Sequence, residues 1–134
     1  MIVVDASALT GYLLGDPDAI AAFEQFDELR RGPFRAPALI EPETLNALRR
    51  MERQRIVSAW RATRLVADLG RVRRVLYPHT PFRERVWELR HELSAYDAIY
   101  LALAERIGAV LLTADRALAL RAHRLLGAER VRLV

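Results

Sequence analysis

Short, largely apolar runs alternate with segments of helical periodicity, and this alternation most constrains the fold. The runs are residues 1–5, 34–39, 72–77, 109–113 and 131–134. Runs of this length are typical of buried strands. Strands separated by helices predict an α/β domain with a mainly parallel central sheet of four to five strands flanked by helices. The 134 residues contain no repeat or linker, so we expect residues 1–134 to form a single domain.

Capping residues and prolines mark where the first helices begin. Ser7 can start a helix directly after the first run. Asp16–Pro17 is a second helix start, because proline is favoured at the first helical position. Ile20, Phe23 and Leu29 then predict a helix that extends to about Arg31.

The middle of the chain predicts two further helices. Pro42 suits a first helical position, which makes Glu41 the cap and places Glu43 in the first turn. The second of these helices ends near Gly70 and carries the apolar residues Ile56, Trp60 and Leu69.

Three further helix starts lie at or after Thr80. Thr80–Pro81 opens a helix with an apolar stripe at helical spacing, formed by Phe82, Val86, Leu89 and Leu93. Ser94 can cap a helix from Tyr96 to Arg106, which is apolar nearly all round and should be deeply buried. Gly108 should close that helix, and Asp115 begins the last one, which reaches about Leu126.

Composition excludes several classes of protein. All 21 basic residues are arginine, and a P-loop NTPase needs a phosphate-binding lysine. Receiver-type phosphoacceptors and haloacid-dehalogenase-type phosphatases also use a lysine. No GxGxxG motif is present, so a dinucleotide-binding fold has no support. The chain has no cysteine, which excludes disulfides and thiolate metal sites.

The sequence also bears on where the protein acts. No apolar run approaches the ~20 residues that a membrane helix requires. The first residues, MIVVDASAL, lack the basic leader of a secretory signal. We therefore expect a soluble, cytoplasmic protein without a membrane partner. The net charge of +4 is compatible with nucleic-acid binding, although arginines on solvated helix faces explain it equally well.

Four acidic residues occupy equivalent places in the predicted fold. Asp5 ends the first strand, Glu43 and Asp97 lie in the first turns of helices, and Asp115 follows the fourth strand. In open parallel sheets, ligands bind at the carboxyl ends of the strands, where helix N-termini also point. The topology should therefore bring Asp5, Glu43 and Asp115 to one edge of the sheet, and Asp97 joins them if its helix begins there.

Helix capping is the competing explanation for these acids. Asp and Glu in a first turn complement the helix dipole by roughly 0.3–1 kcal/mol each. Capping does not explain why three of the acids are flanked by apolar residues, as in VVDAS, AYDAI and LTADR. Converging carboxylates repel one another unless a cation binds. Oxygen ligands without His or Cys partners favour Mg²⁺ or Mn²⁺ over Zn²⁺.

No other residues suggest a rival catalytic centre. His79, His91 and His123 should be surface or boundary residues. Ser7 lacks the partners of a hydrolase nucleophile, so a helix cap or a contact to Asp5 is the better interpretation. The aromatic residues at helical spacing, interpreted as core or interface rather than as base-stacking platforms, are Trp60, Trp87 and Tyr100.

At these residues the chain resembles a known family. The segments VVDASAL, PALIEPETLNALRR, AYDAIYLALAE and LLTADRALA, in this order and spacing, resemble PIN-domain proteins, and most of all the VapC-type toxins of bacterial toxin–antitoxin modules. The resemblance extends over essentially the whole chain. It implies a PIN fold with an acidic site at one end of a parallel sheet.

The resemblance also implies an activity and a set of site residues. It implies a Mg²⁺-dependent endoribonuclease that hydrolyses RNA phosphodiesters, with Asp5, Glu43, Asp97 and Asp115 as the catalytic acids. Asp5 and Asp97 are the firmest metal ligands, and Asp115 is a third. Thr113 matches the Ser/Thr that precedes the last acid in the family. The implied partners are a second copy of the chain and a VapB-type antitoxin whose tail covers the groove.

Two alternatives remain open at this point. The chain could be a non-catalytic RNA-binding module of the same fold, gripping RNA through Arg49, Arg50, Arg53 and Arg55. The intact set of acids favours the enzyme, because a pure binder has no need to aim carboxylates at phosphate. A structure-specific DNA nuclease of this fold usually carries inserted helices, for which 134 residues leave little room.

Overall fold

The alternation of strands and helices produces a sheet with helices on both sides. The computed structural model describes residues 1–26 and 31–134. The strands in these residues are β1 (Ile2–Val4), β2 (Phe34–Pro37), β3 (Arg74–Tyr77), β4 (Val110–Thr113) and β5 (Val131–Leu133). The helices are α1 (Ala6–Leu14), α2 (Pro17–Gln25), α3 (Ile40–Arg53), α4 (Ala59–Arg71), α5 (Arg83–Glu88), α6 (Ala95–Arg106) and α7 (Arg116–Leu126). Two 3₁₀ turns lie at Thr80–Phe82 and Ala128–Arg130.

The sheet is parallel throughout, with β1 at its centre. The strand order is β3-β2-β1-β4-β5, and each neighbouring pair is parallel. The register places Val3 opposite Arg35 on β2 and Leu111 on β4. The predicted α/β fold class is therefore confirmed, with five strands. Because all strands run the same way, their carboxyl ends meet at one edge.

The helix α6 lies across the sheet and forms much of the core. It packs against β1, β2 and β4. Its buried residues are Ala98, Tyr100, Leu101, Ala102, Leu103 and Ala104. Ser94 caps this helix through its side chain, and Gly108 follows it with a positive φ of 64°. The predicted cap and the predicted deep burial are both confirmed.

Three helix starts differ from the prediction. The first helix begins at Ala6 with Asp5 as its cap, so Ser7 lies inside it. The third begins at Ile40, two residues before Pro42, because Ile40 is fully buried in the core. Pro42 is tolerated there because the first four N–H groups of a helix have no intrahelical partner. The fourth starts after Ser58, which caps it, and leaves Ile56 exposed in the preceding turn.

The predicted helix from Thr80 to Leu93 is shorter than expected. A 3₁₀ turn leads into α5, which ends at Glu88, and the chain then continues in turns closed by i→i+3 bonds such as Arg90 N–H to the Trp87 carbonyl. Leu89 and Leu93 are nevertheless buried, so the stripe correctly identified core residues. Because α5 ends at Glu88, the chain can turn toward Ser94, which caps α6.

Other expectations were wrong in part or lie outside the described residues. Trp60 and Trp87 are 73% and 68% exposed, so neither belongs to the core. The second helix ends at Gln25 rather than near Arg31, and its predicted residue Leu29 lies outside the described residues. Among the helices of residues 1–26 and 31–134, none is long and apolar enough to cross a membrane.

Candidate active site

All four predicted acids line a single cleft at the carboxyl edge of the sheet. The cleft has a volume of about 540 Å³. Asp5 enters it from the end of β1, Glu43 from α3, Asp97 from α6, and Asp115 from the start of α7. Its remaining lining residues are Ala6, Ser7, Thr10, Gly11, Leu14, Asn46, Ala47, Arg50, Met51 and Tyr100. Residues up to 110 positions apart in the chain thus meet at one place because the strands are parallel.

Asp5 is the most buried and most strongly bonded of the four acids. Its residue is only 4% exposed. Oδ1 accepts from the Ala8 N–H at 2.9 Å and from Ser7 Oγ at 2.7 Å. Oδ2 accepts from Thr113 Oγ1 at 2.6 Å. Asp5 therefore caps α1 and at the same time faces the cleft.

Ser7 and Thr113 connect Asp5 to the loop that carries Asp115. Thr113 Oγ1 accepts the Asp115 N–H at 2.9 Å, and Ser7 Oγ accepts the Ala114 N–H at 2.8 Å. Both hydroxyls direct their protons toward Asp5. The two hydroxyls therefore hold the ends of β1 and β4 in register, and they fix the position of the buried carboxylate.

Burial sets the charge state of Asp5. Removal from water is the largest cause that raises the pKa of Asp5, the nearby charge of Asp115 adds to the rise, and the resulting pKa is about 6. Hydrogen bonds from Ala8, Thr113 and Ser7 oppose this rise by stabilising the carboxylate. Because desolvation outweighs three donors, the metal-free Asp5 carboxylate is in an unfavourable environment.

Asp115 combines a structural role with a place in the cleft. Its Oδ1 accepts from the N–H groups of Ala117 and Leu118 at 2.8 and 3.0 Å, so it caps α7. Capping was the competing explanation for the acids, and it is correct for Asp5 and Asp115. It does not account for the effect of Asp115 on its neighbours, because its charge raises the pKa of both Asp5 and Asp97.

Asp97 is not the cap of its helix. Ser94 fills that position, with its Oγ accepting the Asp97 N–H at 3.2 Å. Burial and then the charge of Asp115 raise the pKa of Asp97, while a hydrogen bond from the Ser94 side chain to its carboxylate and the charge of Arg121 lower it. The side chain of Asp97 is thus free to point into the cleft, where its charge is disfavoured in the absence of a cation.

Glu43 has a partner that sequence reasoning missed. Tyr100 Oη donates to Glu43 Oε2 at 2.6 Å across 57 residues of sequence. Burial raises the pKa of Glu43, as does the charge of Asp97, whereas the Tyr100 bond lowers it. Tyr100 had been interpreted as core or interface, and its ring is indeed buried. The available signal was its spacing, because a residue three positions after Asp97 lies on the same face of the helix.

The oxygen atoms of the cleft suit a hard divalent cation that binds through few protein ligands. Carboxylate and hydroxyl oxygens are the ligands that Mg²⁺ prefers. Over residues 1–26 and 31–134, no three His, Cys, Asp or Glu side chains lie close enough together to hold a metal ion by themselves. Mg²⁺ usually keeps several waters and binds through one or two carboxylates, so a looser arrangement of acids is compatible with it.

The basic and histidine side chains are distributed unequally around the cleft. Arg50 lines it, whereas Arg49 does not line it but bonds weakly to Asn46, which does. The three histidines are not among the residues that line the cleft. His79 is exposed and accepts the Leu39 N–H through Nε2 at 2.9 Å, which gives it a structural role.

The fold and the cleft can be compared with known proteins. The PIN domain model matches residues 2–123. VapC ribonuclease Mb0985 of Mycobacterium bovis is 38% identical over 117 residues, covering 86% of each chain. Ribonuclease VapC1 of Mycobacterium tuberculosis is 35% identical over 118 residues, covering 87% of each. The crystal structure of PAE2754 from Pyrobaculum aerophilum superposes with a TM-score of 0.69 at 27% identity, covering 97% of this chain and 81% of the other.

These matches define the class of protein. The chain belongs to the PIN-domain family. Within that family it is a VapC-type toxin, as its identity to the mycobacterial relatives over most of its length shows. This membership supports a nuclease function for the chain.

Asp5→Asn should change how the stability of the protein depends on pH in EDTA. The pKa of Asp5 is 3.8 in the unfolded chain and about 6 in the fold. Folding therefore favours the protonated form, and stability is lost as pH rises from the unfolded to the folded pKa. Between about pH 4 and about pH 7, the unfolding free energy of wild type should fall by about 2 kcal/mol relative to the variant.

Urea denaturation of both proteins in EDTA measures this difference. Asn keeps an acceptor for the Ala8 N–H, so the variant retains the cap of α1. A difference in unfolding free energy that does not change with pH would contradict the raised pKa.

Proposed function

We propose that this protein is a divalent-metal-dependent endoribonuclease and the toxin component of a toxin–antitoxin pair, acting on RNA in the cytoplasm. The observation that carries the proposal is the meeting of Asp5, Glu43, Asp97 and Asp115 in one cleft. Four separate elements supply these side chains, so shared helix capping does not explain their convergence. The ribonuclease names of its VapC relatives support the same reaction class.

Asp5 and Asp97 are the residues that would hold the metal. Both carboxylates face the cleft, and the pKa of each is raised by burial and by the charge of Asp115. A cation between them offsets the cost of burying negative charge. When bound, Mg²⁺ or Mn²⁺ lowers the pKa of water and neutralises charge on the scissile phosphate.

Asp115 and Glu43 have different tasks from the two metal-holding acids. Asp115 has one oxygen committed to the N-terminus of α7, which leaves Oδ2 for a ligand or a water. Glu43 is held through Oε2 by Tyr100, so its remaining oxygen can orient a water that attacks phosphorus. Both acids therefore complete the site, either through waters or by holding a second ion.

Ser7 and Thr113 support the site without touching the substrate. Their hydroxyls donate to Asp5 and accept backbone N–H groups from the Asp115 loop. Each hydroxyl thereby fixes the distance between two acids. Loss of either donor would leave Asp5 buried with fewer bonds, which disfavours its charged form.

Arginines beside the cleft suit a phosphate backbone. Arg50 lines the cleft, and Arg49, Arg53 and Arg55 continue an exposed basic surface along the end of α3. Guanidinium groups pair bidentately with phosphate oxygens. RNA bound along this surface would place a phosphodiester over the acids. The alternative function as a non-catalytic RNA binder uses the same arginines but leaves the acids without a role.

A protein partner is the second part of the proposal. The apolar surface exposed on α3, on α4 and in the turn between them consists of Leu45, Ile56, Trp60 and Val66. Contiguous exposed apolar surface is typical of interaction sites. We propose that the chain forms a homodimer. The VapC names of its relatives support a second partner, a VapB-type antitoxin that neutralises it.

RNA cleavage should depend on a divalent metal. Purified protein incubated with total RNA should cleave it in Mg²⁺ or Mn²⁺ and not in EDTA, because the acids need a cation to bring phosphate close. Gel electrophoresis follows the products, and the Asp97→Asn variant serves as the inactive control. Cleavage that survives EDTA would contradict the mechanism, and binding without cleavage would support the RNA-binding alternative.

Asp97→Asn should reduce the stabilisation that Mg²⁺ gives. A native-state ligand stabilises by about 2.7 kcal/mol at 100 times its Kd. The variant keeps the Ser94 cap but loses one ligand and one unfavourable charge. In EDTA it should melt no lower than wild type, and it should gain much less from millimolar Mg²⁺.

The matched control for this experiment is Asp18→Asn. Asp18 is a first-turn acid of α2 and does not line the cleft, so its variant should gain as much from Mg²⁺ as wild type does. Thermal melts at matched ionic strength compare the three proteins. Equal responses of wild type and Asp97→Asn would show that Asp97 does not hold the ion.

Trp60→Ser should weaken self-association. Trp60 is the most exposed of the apolar side chains on α3 and α4, so its loss removes the largest apolar contact that this surface can offer. Size-exclusion chromatography with light scattering should find a wild-type dimer and a largely monomeric variant. Trp87→Ser, equally exposed on α5, is the control and should stay dimeric. A wild type that is monomeric at high micromolar concentration would contradict the homodimer.

A further inference from the structure

We propose that Tyr100 is a positioning residue that fixes the Glu43 carboxylate in the cleft through its hydroxyl. The inference rests on the proposed nuclease function, because it concerns how one acid of that site is held. Its basis is the 2.6 Å bond from Tyr100 Oη to Glu43 Oε2 between two helices that each carry an acid of the cleft.

The position of the hydroxyl connects three parts of the site. Tyr100 lies on α6 one turn after Asp97, and its hydroxyl reaches α3 at Glu43. The backbone N–H of Ala6, next to Asp5, also faces the phenolic oxygen. The ring is 2% exposed and packed in the core, so the hydroxyl has little freedom to move. The hydroxyl therefore fixes the position of the Glu43 carboxylate relative to Asp5 and Asp97.

The hydroxyl can act only as a donor toward Glu43. Burial raises the pKa of Tyr100, and so do its bond to Glu43 and the negative charges of Glu43 and Asp5. The phenol therefore stays protonated under any condition in which the enzyme works. Since it has one proton, and that proton is given to Oε2, the bond has a single direction.

Glu43 needs such an anchor more than the other acids do. A glutamate has one more rotatable bond than an aspartate, and Glu43 is only half-buried on α3. Asp5 and Asp115 are fixed by backbone N–H groups. Among the residues that the structure describes, Tyr100 is the hydrogen-bond partner of the Glu43 side chain. Without it the carboxylate would sample several rotamers across the cleft.

A purely structural role for the bond is the competing explanation. A buried tyrosine hydroxyl needs an acceptor, and any acceptor would satisfy it. If that were its only role, losing the hydroxyl would change stability but would leave the rate of the reaction unaffected. The two roles are therefore separated by measurements of the bond itself and of kcat.

The first measurement detects the bond without requiring any activity. A buried, hydrogen-bonded hydroxyl proton exchanges slowly with water and gives a downfield proton NMR resonance. We expect one such resonance in wild type, absent in Tyr100→Phe and moved or lost in Glu43→Ala. A Tyr100 hydroxyl resonance that is unchanged in Glu43→Ala would overturn the proposal, whatever the protein does to RNA.

The second measurement is a double-mutant cycle on RNA cleavage in saturating Mg²⁺. Tyr100→Phe should lower kcat about tenfold with KM unchanged, because the bond joins two protein groups and orients a catalytic one. Glu43→Ala should lower kcat further, and the double variant should be no slower than Glu43→Ala alone. Tyr12→Phe, a tyrosine on α1 stacked on Phe23, is the control and should cleave like wild type.

The outcomes separate the two proposals. Additive losses of kcat in the double variant, or an unchanged kcat in Tyr100→Phe, would overturn the positioning role. A wild type that cleaves no RNA in Mg²⁺ or Mn²⁺ would refute the nuclease function, and the NMR resonance would then still decide whether Tyr100 holds Glu43.

Discussion

A carboxylate buried at the end of the central strand is the constraint around which the site is built. Asp5 follows β1, whose neighbours on both sides are parallel strands, so its side chain has little access to water. An ion in that position is tolerated only with several donors. Ser7, Ala8 and Thr113 supply them, and in doing so they bind α1 and the end of β4 to β1. The same contacts therefore hold β1, α1 and the end of β4 together and fix the Asp5 carboxylate in the cleft.

Capping and chemistry are not exclusive roles for an acid at the edge of a parallel sheet. Helix N-termini point to this edge, and their N–H groups attract carboxylates. Asp5 and Asp115 each use one oxygen for a helix N-terminus while facing the cleft. In contrast, Ser94 relieves Asp97 of capping and Tyr100 holds Glu43 from the side. The four acids therefore differ in the contacts that hold their side chains.

The sequence predicted the order of elements and the convergence of the acids because both follow from local patterns. Short apolar runs between helices indicate parallel strands, and parallel strands determine which chain positions meet at an edge. Element ends were less accurate, as at Ile40, where burial of one side chain moved the helix start past the proline signal. The Tyr100 bond could not be predicted from sequence, because it depends on the relative placement of α3 and α6 to within an ångström. The exposure of Trp60 and Trp87 was missed for the same reason: periodicity identifies apolar faces but does not show which of them another element covers.

The pairing of the central strand has a consequence for when the cleft is assembled during synthesis of the chain. β1 is synthesised early, but one of its two neighbours is β4, and Thr113 meets Asp5 across 108 residues of chain. Contacts so distant in sequence close late in folding. During translation the emerging polypeptide therefore lacks both the strand that completes the sheet and the last acid of the cleft. The cleft with its four acids is therefore assembled only once most of the polypeptide has been made.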